Sequence, residues 1–334
     1  ASTFTGKLTV TAETNDMAIT GGSGDDTINM VGTLTSNDAV DGGAGDDTLS
    51  MNAAAISTQF AGVTNVETVS FNDTGSAVTI DASKLSAGVT GITVSLKDDG
   101  TGADNLVSTV SGLSGETVTL TRADEDADVN GQLDLTLTNA TDTAADTATV
   151  VLAAIGVNGD EAGDTDGDEY GMGILNVANY ETVNISSNKS VDGTTITANE
   201  MMTLTATSAT KVDIDGAADL TIGAVGGGAM TSLDASDMTG ALTATLAGDK
   251  VAVSLGSKSS TINFGSTLNN DDSVVGGAGA ADLVTATVTG LTATTGALTI
   301  SNVETIDLTT SGANTIDASG ITGSNVTIAV TDNK

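Results

Sequence analysis

Carboxylates set among glycines are the residues of this chain best suited to chemistry. Gly21-Gly22-Ser23-Gly24-Asp25-Asp26-Thr27-Ile28-Asn29 and Gly42-Gly43-Ala44-Gly45-Asp46-Asp47-Thr48-Leu49 fit one nonapeptide pattern, G-G-x-G-x-D-x-U-x, where U is a large apolar residue. The copies start 21 residues apart. Glycine permits left-handed turns and close approach of carbonyl oxygens. With Asp25, Asp26, Asp41, Asp46 and Asp47, the carbonyls around Gly22, Gly24, Gly43 and Gly45 supply the hard oxygen ligands that Ca2+ prefers. The plainer reading of Gly-Asp is a turn and nothing more. In a third copy, Gly276-Gly277-Ala278-Gly279-Ala280-Ala281-Asp282-Leu283, alignment puts Ala280 and Ala281 in place of the Asp pair and Val275 in place of Asp41. That copy reads as a turn which keeps its shape and has lost its ligands.

Three more acidic stretches read as cation loops. Asp124 to Asp134 contains D-x-D-x-N-G-x-x-D from Asp126, through Asp128, Asn130 and Gly131 to Asp134. These match five positions of an EF-hand loop, but Leu137 stands where that loop has its Glu and no helices flank it. Asp160 to Glu169 packs six carboxylates into ten residues, among them Asp160, Asp164, Asp166 and Asp168. Ordering such a loop without a cation is costly, since two unit charges ~4 Å apart repel by roughly 4 kcal/mol at an effective dielectric of 20. Asp98, Asp99 and Asp104 form a sparser set.

The elements that must hold these loops are short strands. Runs such as Lys7–Ala12, Thr117–Thr121, Leu133–Thr138, Thr147–Leu152, Thr203–Thr207, Leu242–Leu246, Val251–Leu255 and Leu283–Val288 alternate Thr with Val, Leu, Ile or Ala, the period of a half-buried strand. Ala53–Phe60 and Ala198–Met202 are at most a turn or two of helix. Internal repetition is strong. Asn65-Val66-Glu67-Thr68-Val69 and Ile80-Asp81-Ala82-Ser83 recur as Asn302-Val303-Glu304-Thr305-Ile306 and Ile316-Asp317-Ala318-Ser319. Residues 38–96 and 271–330 are thus copies of one unit of about sixty residues, with partial copies at Asn179–Val183 and Leu233–Ser236. Glu67, Glu181 and Glu304 recur at one place in it and read as side chains that fix register by bonding backbone at a turn.

Repetition of this kind predicts an all-β stack: parallel β-helix segments, with or without sandwich-like modules. The expected divisions are a glycine-loop repeat segment over 1–97, a module carrying the acidic loops over 98–175, and a solenoid segment over 176–334. The core must be aliphatic, because aromatics are only 2% of 334 residues.

Composition excludes several functions. With no Cys and no His, there are no disulfides, thiolate metal sites or imidazole bases. With 44 acidic and 9 basic residues, net −35, the chain is unsuited to nucleic acid. Carboxylate pairs could still hydrolyse sugars. However, Arg122 is the sole arginine and Phe71 reads as core, which leaves little from which to build a sugar platform. The chain is not expected to be an enzyme. Ala1 follows no signal-like segment, which reads as a processed product or a piece of a larger protein.

The GGSGDDTI and GGAGDDTL loops resemble the repeats of RTX proteins, secreted by Gram-negative type I systems. The Thr/Ala/Gly-rich strands around NVETV and TIDAS are similar to the β-strand repeats of calcium-dependent bacterial S-layer proteins of that kind. The resemblance is specific only over 21–29, 38–49, 65–83, 271–283 and 302–319. It implies Ca2+ bound by the Asp and Gly positions of the first two loops, and export to the cell surface. It also implies assembly with further copies into a lattice, and attachment to lipopolysaccharide or another surface glycan through residues the sequence does not single out. The alternative it carries is the stalk of an RTX adhesin. Two departures stand out: only two loops are complete, and their spacing of 21 is not a multiple of nine.

Overall fold

A chain of short β-branched strands punctuated by Gly, Asn and Asp can bury one side of each strand only by stacking it on others. The computed structural model describes residues 4–12, 16–30, 34–51, 55–56, 59–72, 77–96, 106–122, 133–153, 172–188, 198–248, 250–288, 298–310, 317–323 and 325–332. Over these, the chain is an all-β solenoid, and every strand pair is parallel. A long sheet of fourteen strands and a second sheet of twelve run the length of the stack. Three strands, Ala18–Thr20, Ala39–Asp41 and Val63–Thr64, form a short sheet near the first turns. From Thr68 onward the chain visits the two large sheets alternately, so one winding is two strands and two corners.

The compact windings explain the odd loop spacing. Thr27 pairs with Thr48 and Thr48 with Thr68, while near the other end Thr261, Leu283, Thr305 and Thr327 pair in succession. The 21 residues between the glycine loops are therefore one full winding, which lays one loop directly on the other. The sixty-residue unit is three windings. Strand pairing in the two sheets continues past residues 97 and 175.

Side chains alternate as the strand period requires. Ile28, Leu49, Val69, Ile92, Val118 and Val150 stack inward as one column of the long sheet, all buried. Phe71 is fully buried, as its place beside the NVET strand suggested. Two local readings change. Ala198–Met202 belongs to the strand Ala198–Thr205, whose residues pair with Asp219–Gly226; stacking on a neighbouring strand outweighs the helical preference of Ala, Glu and Met. Within 53–60, Ala55–Ile56 is a strand and only Gln59–Gly62 is a 3-10 turn; residues 53, 54, 57 and 58 lie outside the described residues.

The two copies of the unit occupy different faces. Thr48–Met51, Thr68–Phe71 and Gly91–Leu96 lie in the long sheet. Their sequence counterparts Leu283–Val288, Thr305–Thr310 and Thr327–Asp332 lie in the second sheet. The repeat has changed sheets between its first and last appearance.

Candidate functional site: the acidic corners

Each corner with a glycine loop is built the same way. The second Asp of the loop ends the turn, and its carboxylate reaches the backbone of the preceding winding. Asp26 Oδ1 accepts the Leu8 amide at 2.7 Å, and its Oδ2 accepts the Gly22 amide at 2.6 Å. Asp47 Oδ1 accepts the Asp26 amide at 2.7 Å. Glu67, in the next winding, accepts the Asp47 amide through Oε2 at 2.8 Å. Three carboxylates thus form a ladder, each capping a backbone N–H that the turn leaves without a strand partner. The first glycine of each loop is required by close approach. A Cβ on Gly21 would sit 2.0 Å from the Gly42 carbonyl oxygen, and one on Gly42 would sit 1.9 Å from that of Asn65.

The NVET motif is the other half of the device. Asn65, Asn179 and Asn302 take left-handed φ of 51°, 64° and 54°, a conformation Asn tolerates better than other side chains. The next residue, Val66, Tyr180 or Val303, is buried. The Glu then caps the winding before it: Glu181 Oε2 accepts the Asp146 amide and Glu304 Oε2 the Asp282 amide, both at 2.8 Å. This is the register-fixing role expected for all three glutamates. Asp81, Asp234 and Asp317 act more locally, each accepting the amide two residues on, at Ser83, Ser236 and Ser319.

The third glycine loop has not lost its carboxylate. Gly276 to Asp282 is one residue longer than Gly42 to Asp47, so Asp282, not Ala281, stands in the place of Asp47. Asp282 donates its amide to Glu304 as Asp47 does to Glu67, and its Oδ1 accepts the Ser260 amide at 2.8 Å. A Cβ on Gly276 would meet the Asn302 carbonyl at 1.9 Å and Asp282 Oδ2 at 3.0 Å, matching Gly42 with Asn65 and Asp47. Aligning Leu283 with Leu49 hid this, because Leu283 opens its strand where Thr48 does.

A second corner type escaped the sequence reading. Asp38 accepts the amides of Thr35 and Met17 at 2.7 and 2.8 Å, and Asp272 those of Asn269 and Val251 at 2.7 and 2.8 Å. Asp146 likewise accepts the amide and hydroxyl of Thr143. Thr or Asn three residues before an Asp is the signal that would have found them.

The other expected ligands fall as follows. Asp25 and Asp46 are exposed, and Asp25 Oδ1 accepts the Asp46 amide at 3.0 Å. Asp41 Oδ1 accepts Asn65 Nδ2 at 2.8 Å. Gly22 and Gly43 lie one on the other, with a Cβ on Gly43 2.2 Å from the Gly22 carbonyl; Gly24 and Gly45 repeat this less tightly. Asp134 is buried in the strand Leu133–Asn139, its Oδ1 accepting the Ile174 amide at 2.7 Å. Asp98, Asp99, Asp104, Asp124, Asp126, Asp128, Asn130, Asp160, Asp164, Asp166 and Asp168 lie outside the described residues.

Electrostatics separate the two corner types. Burial, together with the charges of Asp26, Glu67 and Asp25, pushes the Asp47 carboxyl up against the opposing Asp26 amide bond. Burial and Glu304 do the same to Asp282. In both, Oδ2 is buried with no hydrogen-bond partner, whereas the same oxygen of Asp26 accepts an amide. Asp38 goes the other way: burial raises it, but the Thr35 and Met17 amides and the Thr35 hydroxyl together outweigh that and hold it low. The Thr143 hydroxyl and amide hold Asp146 low.

As a cation site these corners supply part of a set. Among the described residues, no three or more acidic side chains are grouped so as to enclose a metal ion. Among the oxygens left over are Asp47 Oδ2, beside the Asn65 carbonyl at Gly42, Asp282 Oδ2, beside the Asn302 carbonyl at Gly276, and the exposed carboxylates of Asp25 and Asp46. They are of the hard type that Ca2+ takes. No protein family, curated protein or solved structure matches this chain.

Proposed function

We propose that this chain is a structural cell-surface protein that is stabilised by calcium and assembles with copies of itself into an S-layer lattice. One observation carries the calcium half of the reading: the acidic column down one corner of the solenoid. Seven consecutive strands of the long sheet, from Thr27–Met30 to Thr182–Asn188, are each preceded by one corner residue. In order these are Asp26, Asp47, Glu67, Thr90, Glu116, Asp146 and Glu181, and only Thr90 lacks a carboxylate. Adjacent strands lie about 4.8 Å apart, and unit charges at that distance repel by roughly 3 kcal/mol at an effective dielectric of 20. Divalent cations along the column relieve that repulsion. Asp25, Asp46 and the free oxygen of Asp47 are the described residues that would hold one.

A cation that binds the folded chain and not the unfolded one stabilises it by mass action. A chain at −35 gains further because its self-repulsion falls. Export into calcium-rich surroundings then couples folding to arrival at the cell surface, with lipopolysaccharide or another surface glycan as the anchor.

The test is particle mass by light scattering, with circular dichroism on the same samples, from micromolar to millimolar calcium and against magnesium. A calcium-specific gain of β signal with growth to large particles is expected. The same gain at constant monomer mass would favour the stalk of an adhesin, and no response to calcium would sink the reading.

A further inference from the structure

Charge interrupts the outer face of the long sheet at one place along its described length. In its first eight strands, from Thr9–Ala12 to Thr182–Asn188, every outward position holds Thr, Ser, Asn, Gly, Ala or Val. Thr27, Thr48 and Thr68 stand in one column, and Ser70, Thr93 and Thr119 in the next. Among the described residues, no charged side chain projects from this face, on a chain that carries 44 acidic residues. The pattern ends at the ninth strand, where Lys211, Asp213 and Asp215 project, followed by Asp234. These carboxylates and Lys211 line a groove that also takes in Thr149, Asn184 and Ser186 of the last two uncharged strands, and beyond it the outward positions, from Ala252 and Ser254 to Thr299 and Ser301, are uncharged again.

We infer that this uncharged face is a contact surface for a second copy of the same face, seated head to head about a two-fold axis. The inference rests on the self-assembly proposed above and says where the copies touch. Three observations choose this occupant. Two copies at −35 that meet through these strands bring no like charges together among the described residues, as they would through the strands that carry Asp213, Asp215 and Asp234. A hydroxyl both donates and accepts, so a column of Thr and Ser complements a rotated column of itself. A charged partner, in contrast, finds nothing on this face to pair with.

The size of the face fits a lattice contact and not a lone dimer. Eight strands at about 4.8 Å by four residues at about 3.3 Å give on the order of 500 Å². That is below the roughly 800 Å² per partner of a stable pair, so the contact is weak singly and gains strength by repetition. All eight strands are parallel, so their starts share one edge, and that edge carries the acidic column from Asp26 to Glu181, with the exposed carboxylates of Asp25 and Asp46 beside its two buried first members. The neutral centre therefore has a charged rim on one side. Calcium acts at the rim, which makes the contact calcium-dependent although the face itself holds no ligand.

The experiment uses the full chain in millimolar calcium and compares wild type with Thr93→Lys and Thr93→Glu at the centre of the face. Thr119→Lys and Thr119→Glu repeat the test on the adjacent strand, where Thr119 pairs with Thr93. Circular dichroism with and without calcium checks that each variant folds. Both signs of charge are expected to weaken self-association, raising the protein concentration needed for particle growth at least tenfold. If Lys weakens it and Glu strengthens it, calcium bridges acidic surfaces across this face and the neutral contact is wrong. If wild type grows and all folded variants grow equally, the face is not an interface, and the lattice reading survives without it. If wild type stays monomeric, the self-assembly reading itself fails.

Discussion

The corner at Gly42, Asp47, Asn65 and Glu67 and the corner at Gly276, Asp282, Asn302 and Glu304 perform one task on opposite sheets. The first leads into Thr48–Met51 and Thr68–Phe71 of the long sheet, and the second into Leu283–Val288 and Thr305–Thr310 of the other. The glycine meets an asparagine carbonyl at the same 1.9 Å in both. The Glu accepts the Asp amide at the same 2.8 Å. A solenoid corner of this kind is therefore self-contained. What the repeat encodes is a turn with its caps, which serves either sheet.

The largest effect should come from filling the glycine. Gly42→Ala and Gly276→Ala each force backbone apart, because the obstacle is a carbonyl oxygen that belongs to the next winding. Each should cost about 3–5 kcal/mol, the range of severe steric defects. Gly228→Ala, where nothing lies within 4 Å and φ is not left-handed, should change stability by under about 1 kcal/mol. Urea midpoints of the three variants measure this. Equal costs at 42 and 276 support the equivalence of the corners, and a mild Gly276→Ala would break it.

Removing the capping glutamate comes next. Glu67→Ala and Glu304→Ala leave the amides of Asp47 and Asp282 without acceptors, at about 1–3 kcal/mol each. Glu67→Gln keeps an oxygen for the amide and removes a charge that presses on Asp47. It should recover most of the loss, and a Gln variant as damaged as Ala would mean that the charge matters and the hydrogen bond does not.

The same residues show what a sequence can reveal. Strand alternation, aliphatic composition and the repeated NVET made a parallel stack legible, and the constancy of Glu67, Glu181 and Glu304 made their capping role legible too. Three things were hidden. The one-residue insertion before Asp282 was invisible because Leu283 aligned so naturally with Leu49. Capping by Asp38, Asp146 and Asp272 depends on amides 21 residues away or more in two of the three cases, at Met17 and Val251, which no local pattern connects to them. Ala198–Met202, read as at most a turn or two of helix, is a strand because a neighbouring winding pairs with it.

Acidity separates the two corner types. The Asp47 and Asp282 carboxyls are raised, chiefly by burial, so their ionised forms burden the fold. Stability from these two is full below their unfolded values and declines as pH rises through their folded values. Asp146 is held low by Thr143, and Asp38 by amides that overcome its burial. Stability from that pair is present above the unfolded values and is lost as pH falls through the folded ones. Without calcium, the thermal midpoint should therefore rise on mild acidification and fall on strong acidification. Asp47→Asn should flatten the first limb and Asp146→Asn the second. A profile in which Asp47→Asn removes only the steep acid loss would reverse the assignment.

The smallest prediction isolates one difference between the two corners, Asp41 against Val275. Asn65 and Asn302 share a left-handed backbone, so changing either to Ala should cost about 1–2 kcal/mol, and changing either to Gly much less. Only at the first corner does the Asn side chain also meet a carboxylate, its Nδ2 donating to Asp41 at 2.8 Å. The counterpart of Asp41 is Val275, an exposed apolar side chain that can accept nothing. Asn65→Gly should thus cost a few tenths of a kcal/mol more than Asn302→Gly, as fits a single exposed hydrogen bond. That difference should vanish in an Asp41→Val background, which removes the acceptor as Val275 does at the second corner. If the difference persists there, the side-chain bond is not its source, and the two corners differ in backbone strain after all.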